Sequence, residues 1–182
     1  MEPNEQLAVI IPMLKEVADG IGEEQLSGAT PCAEFTVEGV LDHMTALATG
    51  FAPMFRGEDP GAATPPAGAD LIDDFNLAMD GLLAAVQSPG ALDRTIQTPG
   101  GQMPGEVFAR LVALDGLVHG WDLATSTSQD WTPPESLVAE VDAFAHVAIT
   151  SEMRDGGAFA PERTAAGTSP MPHLAAFTGR QT

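Results

Sequence analysis

The stretch ALDGLVHGWDLA (residues 113–124) places Asp115, His119, Trp121 and Asp122 inside an otherwise apolar helical run. A helix that only closes a core needs Leu and Ala, so these polar groups either satisfy one another or face a ligand. With about 100° per residue and Val107 as origin, Val118, Leu111, Asp122, Asp115, Phe108 and His119 fall within roughly 20–120°. The polar groups therefore share the face of Phe108, Leu111 and Val118, which points inward. Asp115 and His119 are i, i+4 neighbours, and that spacing lets two side chains of one helix converge on a single point.

Helical spacing runs outward from this stretch in both directions. Leu7, Ile10, Ile11, Leu14, Val17 and Ile21 trace one buried face of a first helix. Thr36 is an N-cap for a second, which carries Val37, Val40, Leu41, Met44, Leu47, Phe51, Met54 and Phe55. The Gly- and Pro-rich GEDPGAATPPAGAD (57–70) is a loop. A third helix buries Leu71, Ile72, Phe75, Met79, Leu82, Leu83 and Val86. The fourth, from about Gly105 to Thr125, holds the opening stretch, and a fifth begins near Pro133–Pro134. DRTIQTPGGQMPG (93–105) reads as an irregular or short extended connection and not a sheet, with a turn at Pro99-Gly100-Gly101. The Gly/Pro-rich tail from Gly156 onward reads as a surface segment. The expectation is an all-α chain: a four-helix bundle with a long crossover between the second and third helices and an additional C-terminal helix, residues 1–182 forming one domain.

Composition narrows the function. Of 182 residues, 44% are apolar, enough for a sizeable core. Against 26 acidic residues stand 7 Lys and Arg, a formal net charge of −19, and Lys15 is the one lysine. Such a surface repels phosphate backbones and anionic lipid, so neither nucleic acid nor membrane is an expected partner. A single cysteine, Cys32, excludes an internal disulfide framework. It reads as a small buried hydrophobe and not as a nucleophile. Without an apolar run of spanning length or a leader pattern, the expected location is cytoplasmic. Nucleophile-elbow, P-loop and dinucleotide fingerprints are absent from the sequence.

A metal site on Asp115 and His119 needs a third donor. His43, in VLDHM at the border of the second helix's apolar stripe, can supply it, whereas His146 and His173 fall at edges. Two histidines and a carboxylate suit zinc with an open position, or iron, manganese or nickel. The alternative is a hydrogen-bonded Asp–His pair with no ion. Asp122 either fixes a neighbouring backbone amide or orients a ligand, and Trp121 packs beside it.

TPCAEFTVEGVLDHM (30–44), DGLVHGWDLA (115–124) and PHLAAFTGR (172–180) together resemble the mycothiol-dependent maleylpyruvate isomerase amino-terminal family, in its actinobacterial single-domain branch. That family belongs to the DinB-like metal-binding four-helix bundles. The resemblance implies that His43, Asp115 and His119 are the metal ligands, with zinc the first choice and nickel the second. It implies a thiol cofactor, mycothiol, whose sulfur a metal would hold as thiolate for attack on an electrophilic substrate. A homodimer is compatible with it. The family's isomerases carry a second, carboxy-terminal domain, so the expected activity is an S-transferase and not the isomerase reaction. Two departures stand out: Phe35 replaces the family's Trp, and Asp115 replaces the isomerases' Glu. Arg56, Arg94 and Arg110 are the cations nearest the helices for an anionic substrate. The competing readings are a non-catalytic bundle for a small apolar ligand or partner, with a vestigial site, and an iron oxygenase using the same triad.

Overall fold

The computed structural model describes residues 1–59, 61, 63–98, 101–157, 159–165 and 167–182. The elements in chain order are α1 (Pro3–Asp19), α2 (Val37–Arg56), α3 (Leu71–Val86), β1 (Thr95–Thr98), β2 (Gly101–Pro104), α4 (Gly105–Thr127), α5 (Glu135–Ala148), α6 (Ser151–Asp155) and α7 (Pro170–Phe177). A 3₁₀ turn at Glu23–Gln25 follows α1.

Local chemistry sets the helix ends. Thr36 Oγ1 accepts from the Gly39 N–H at 3.1 Å and opens α2. Asp70 Oδ1 accepts from the Ile72 and Asp73 N–H groups at 3.0 Å and opens α3. Each such cap stabilises its helix by about 1 kcal/mol. The segment ahead of α2 is tied down too. Val37 N–H donates to Gly28, Glu38 N–H to Leu26, and Thr30 Oγ1 to the Phe35 carbonyl.

The bundle consists of α1, α2, α3 and α4. Helix α2 packs chiefly on α3 after the long 57–70 crossover, and α1 lies against both α3 and α4. Helix α4 is buried almost all round, from Phe108 and Ala109 through Leu114, Leu117 and Leu123 to Thr127. It therefore lacks the one-sided amphipathicity of a surface helix, because α5 and α7 cover the side that the bundle leaves open. The buried apolar residues form one contiguous cluster.

Two expectations need correction. Thr95–Thr98 and Gly101–Pro104 form an antiparallel two-stranded ribbon, Ile96 opposite Met103. Ile96 is buried and anchors it, so alternation over four residues was a real strand signal. Of the turn expected there, Pro99 and Gly100 lie outside the described residues. The tail is a surface segment only as far as Ser169, among the described residues. A second short helix, α7, starts at Pro170 and buries Met171, Leu174, Ala175 and Phe177 against α5 and α4. Its apolar residues are too few to stand out among the surrounding Gly and Pro, yet a first-turn proline suits a helix start.

Close approach fixes Gly120. A Cβ there would run into the Trp131 ring, which lies across α4 at that point. Gly81, inside α3, has open space instead. Gly120→Ala is expected to cost about 1–3 kcal/mol by overpacking, whereas Gly81→Ala is expected to gain about 0.5–1 kcal/mol by removing backbone freedom from the unfolded chain. Urea unfolding of both variants checks the opposite signs.

Candidate metal centre

Helix α2 delivers His43 and helix α4 delivers Asp115 and His119 to one place. One ligand-capable atom from each lies within 4.8 Å of the other two. His119 Nε2 is 3.6 Å and His43 Nε2 is 4.0 Å from Asp115 Oδ1. Both separations exceed ordinary hydrogen bonds. Donors about 2.1 Å from a tetrahedral ion lie roughly 3.4 Å apart, so the two imidazoles sit near the spacing of ligands that share a cation.

His119 is buried, with 5% exposure. Its other nitrogen, Nδ1, lies 3.0 Å from Asp122 Oδ2. Asp122 has no exposure at all and also receives the Arg180 guanidinium, Nη2 to Oδ2 at 3.0 Å. A carboxylate paired with a guanidinium accepts, so Nδ1 of His119 carries the hydrogen, and in the neutral ring Nε2 presents its lone pair to the other donors. The residues therefore fit a divalent cation in chemistry as well as in spacing.

Phe35 walls one side. Its ring centroid is 5.0 Å from that of His43 and 6.1 Å from that of His119, the latter edge-on. The two imidazoles meet each other at 5.3 Å. Burial pushes the Asp115 carboxyl up, but His119, His43 and Arg180 around it outweigh burial and hold it below its usual value. Asp115 also borders a small cavity of about 20 Å³ whose surface is wholly apolar, lined by Leu14, Met44, Ala48, Phe51 and Val112 among others. That is room for about one water-sized group.

Other sequence expectations fall elsewhere. Trp121 is half-buried and packs against the apolar core. His146 stacks on Phe177 at 3.8 Å, and His173 reaches the Gly167 carbonyl. Arg56 and Arg110 pair with Glu58 and Glu106, while Arg94 Nε donates to the Phe55 carbonyl. The guanidinium beside the site is Arg180, which the sequence reading passed over. Its only signal was its place in the PHLAAFTGR stretch, with 58 residues separating it from Asp122.

A bundle of four helices with a long α2–α3 crossover, carrying these donors on α2 and α4, defines an all-α helical-bundle protein. The chain belongs to the mycothiol maleylpyruvate isomerase N-terminal domain family, which it matches over residues 10–124. It is similar to uncharacterized proteins from two strains of Mycobacterium tuberculosis, each 33% identical over 165 residues and covering 86% of either chain. In fold it resembles the crystal structure of a DinB-like protein from Bacillus subtilis, with a TM-score of 0.58 and 16% identity. That likeness spans 74% of this chain and 96% of the other, and it speaks for the fold alone. Among the described residues, no helix is long and apolar enough to cross a membrane.

Cys32 lies half-buried in the segment ahead of α2, its carbonyl accepting from Thr30 Oγ1 and the Phe35 N–H. Burial pushes its thiol up, only partly countered by Arg180. A raised pKa means less thiolate at a given pH. Iodoacetamide is therefore expected to label Cys32 several-fold more slowly at pH 8 in the folded protein than in urea, with the folded rate still climbing above pH 9. A rate that levels off below pH 8 would contradict this assignment.

Proposed function

We propose that His43, Asp115 and His119 hold a divalent cation, zinc first and nickel second, and that the chain is a thiol-dependent S-transferase using mycothiol or a similar small thiol. The observation that carries this reading is the convergence of the three donors, with His119 Nδ1 engaged by Asp122 on the side away from them. When bound, the cation supplies Lewis-acid stabilisation of a thiolate near neutral pH. Membership of a family named for mycothiol supports the choice of thiol.

The chain's own residues do the rest. With its carboxyl held below its usual value by His119, His43 and Arg180, Asp115 offers an anionic donor at neutral pH. Phe35 shields the imidazoles on one flank and keeps water from that side. His43 and Asp115 keep 30% and 35% of their side chains exposed, so thiol and substrate approach from the solvent-facing side of the donors. Cys32, with its raised pKa, is a poor nucleophile, so the attacking sulfur belongs to the small molecule. In the reaction the thiol gives its proton to solvent, its sulfur bonds an electrophilic carbon, and the leaving group departs with the bonding pair. The natural partners are then a small thiol and a small electrophile in the cytoplasm.

Metal analysis of protein purified without chelator is expected to find one divalent ion per chain, and His43→Ala to lose it. At a hundredfold excess over Kd, zinc or nickel is expected to stabilise the apoprotein by about 2.7 kcal/mol, or a melting shift of about 5–10 °C for a chain of this size. A protein that neither carries nor takes up an ion overturns the metal site. Bound metal without conjugation of mycothiol to any of a panel of electrophiles overturns the transferase and leaves a non-catalytic metal-binding bundle.

A further inference from the structure

We infer that Arg180 is a positioning residue for the candidate metal centre, clamping Asp122 so that Asp122 in turn holds His119 Nε2 toward Asp115 and His43. The inference rests on the metal reading above and adds to it a contribution from the C-terminal segment, outside the four bundle helices and beyond residues 10–124.

The geometry is that of a built relay. Asp122 is wholly enclosed, so water cannot satisfy its oxygens. Oδ2 receives His119 Nδ1 and Arg180 Nη2, both at 3.0 Å, while Arg180 Nε spans the two oxygens at 3.3 and 3.4 Å. Arg180 Nη1 donates to the Thr178 carbonyl at 3.2 Å, which fixes the plane of the guanidinium. A planar fork held at both ends sets the carboxylate's rotation in a way that a single ammonium cannot. The carboxylate's rotation in turn decides which nitrogen of His119 faces inward, because a ring flip exchanges Nδ1 and Nε2.

The segment that carries Arg180 is shaped for delivery. Helix α7 buries Leu174, Ala175 and Phe177, and Thr178 Oγ1 ties back to the Leu174 and Ala175 carbonyls. Gly179 then takes φ +94°, a conformation other residues rarely adopt, and a Cβ there would meet Ala160. This turn brings the Arg180 N–H to the Ala175 carbonyl at 2.9 Å and sends the side chain into the core at 8% exposure. Arg154 fastens the same segment from outside. It donates to the Ala160 and Phe177 carbonyls and lies over the Phe177 ring, without touching Asp122 or His119.

The test compares wild type, Arg180→Ala, Arg180→Gln and Arg154→Ala by two readouts: imidazole ¹⁵N NMR of the metal-free proteins, and titration with Co²⁺. Wild type is expected to show His119 as a single Nδ1–H tautomer. Arg180→Ala is expected to show a tautomer mixture and a 10–100-fold weaker Co²⁺ affinity. Arg180→Gln, which keeps bulk in the pocket, decides by the same criteria if the alanine variant fails to fold. Arg154→Ala is expected to lower the melting temperature while leaving tautomer and affinity unchanged. If Arg180 variants keep the wild-type tautomer and bind Co²⁺ within about twofold of wild type, the positioning role falls and the metal site stands. It also falls if Arg154→Ala scrambles the tautomer as much as Arg180→Ala does. If wild type takes up no Co²⁺ yet Arg180→Ala scrambles the tautomer, the metal reading falls and the positioning role stands.

Discussion

A carboxylate with no access to water sits in the last third of the central helix, and the architecture around it follows from the need to compensate that charge. Removing one partner from a buried, hydrogen-bonded pair typically costs about 3–5 kcal/mol, so Asp122 demands a cation and Arg180 provides one. The position of α7 becomes intelligible on this basis. A helix of eight residues, Pro170–Phe177, would be marginal alone. Docked on α4 and α5, it buries apolar side chains and brings a guanidinium to the one place in α4 that requires it.

The same compensation separates the roles of two carboxylates on one helix. Asp122 is matched by Arg180 and by a ring N–H, and it is wholly enclosed. Asp115, two turns earlier on the same helix, faces the two imidazoles, feels Arg180 only through space, and keeps 35% of its side chain exposed. One carboxylate is thus consumed by structure and the other remains available. Against a net charge of −19, the local supply of donors that are not merely surface anions is small. What distinguishes Asp115 is its company of nitrogen donors and not its charge.

Much of this was legible in the chain. The bundle helices announce themselves by apolar spacing, and the i, i+4 pair Asp115/His119 with His43 identifies the cluster before any coordinates. The role of Asp122 was readable only as one of two alternatives, since a helical wheel shows that it faces inward but not what it meets. Arg180 was not readable, because contact between residues 58 positions apart is a property of tertiary packing and leaves no local periodicity. The ribbon at Thr95–Pro104 and helix α7 were misjudged for a related reason. Each is short, and each owes its form to a few anchors, Ile96 in one and Leu174 in the other, that bury against distant elements.

The long separation between Asp122 and Arg180 has a consequence for biosynthesis. At about 5–20 residues per second, the ribosome adds Arg180 roughly 3–12 s after Asp122. All four bundle helices precede it in the chain, so their hydrophobic collapse can begin while the carboxylate in α4 still lacks its cation. Nascent chains in that interval carry Asp122 and His119 without the Arg180 contact that completes their hydrogen bonding. The order of translation therefore places the helices of the scaffold ahead of the guanidinium that neutralises the carboxylate buried in their midst.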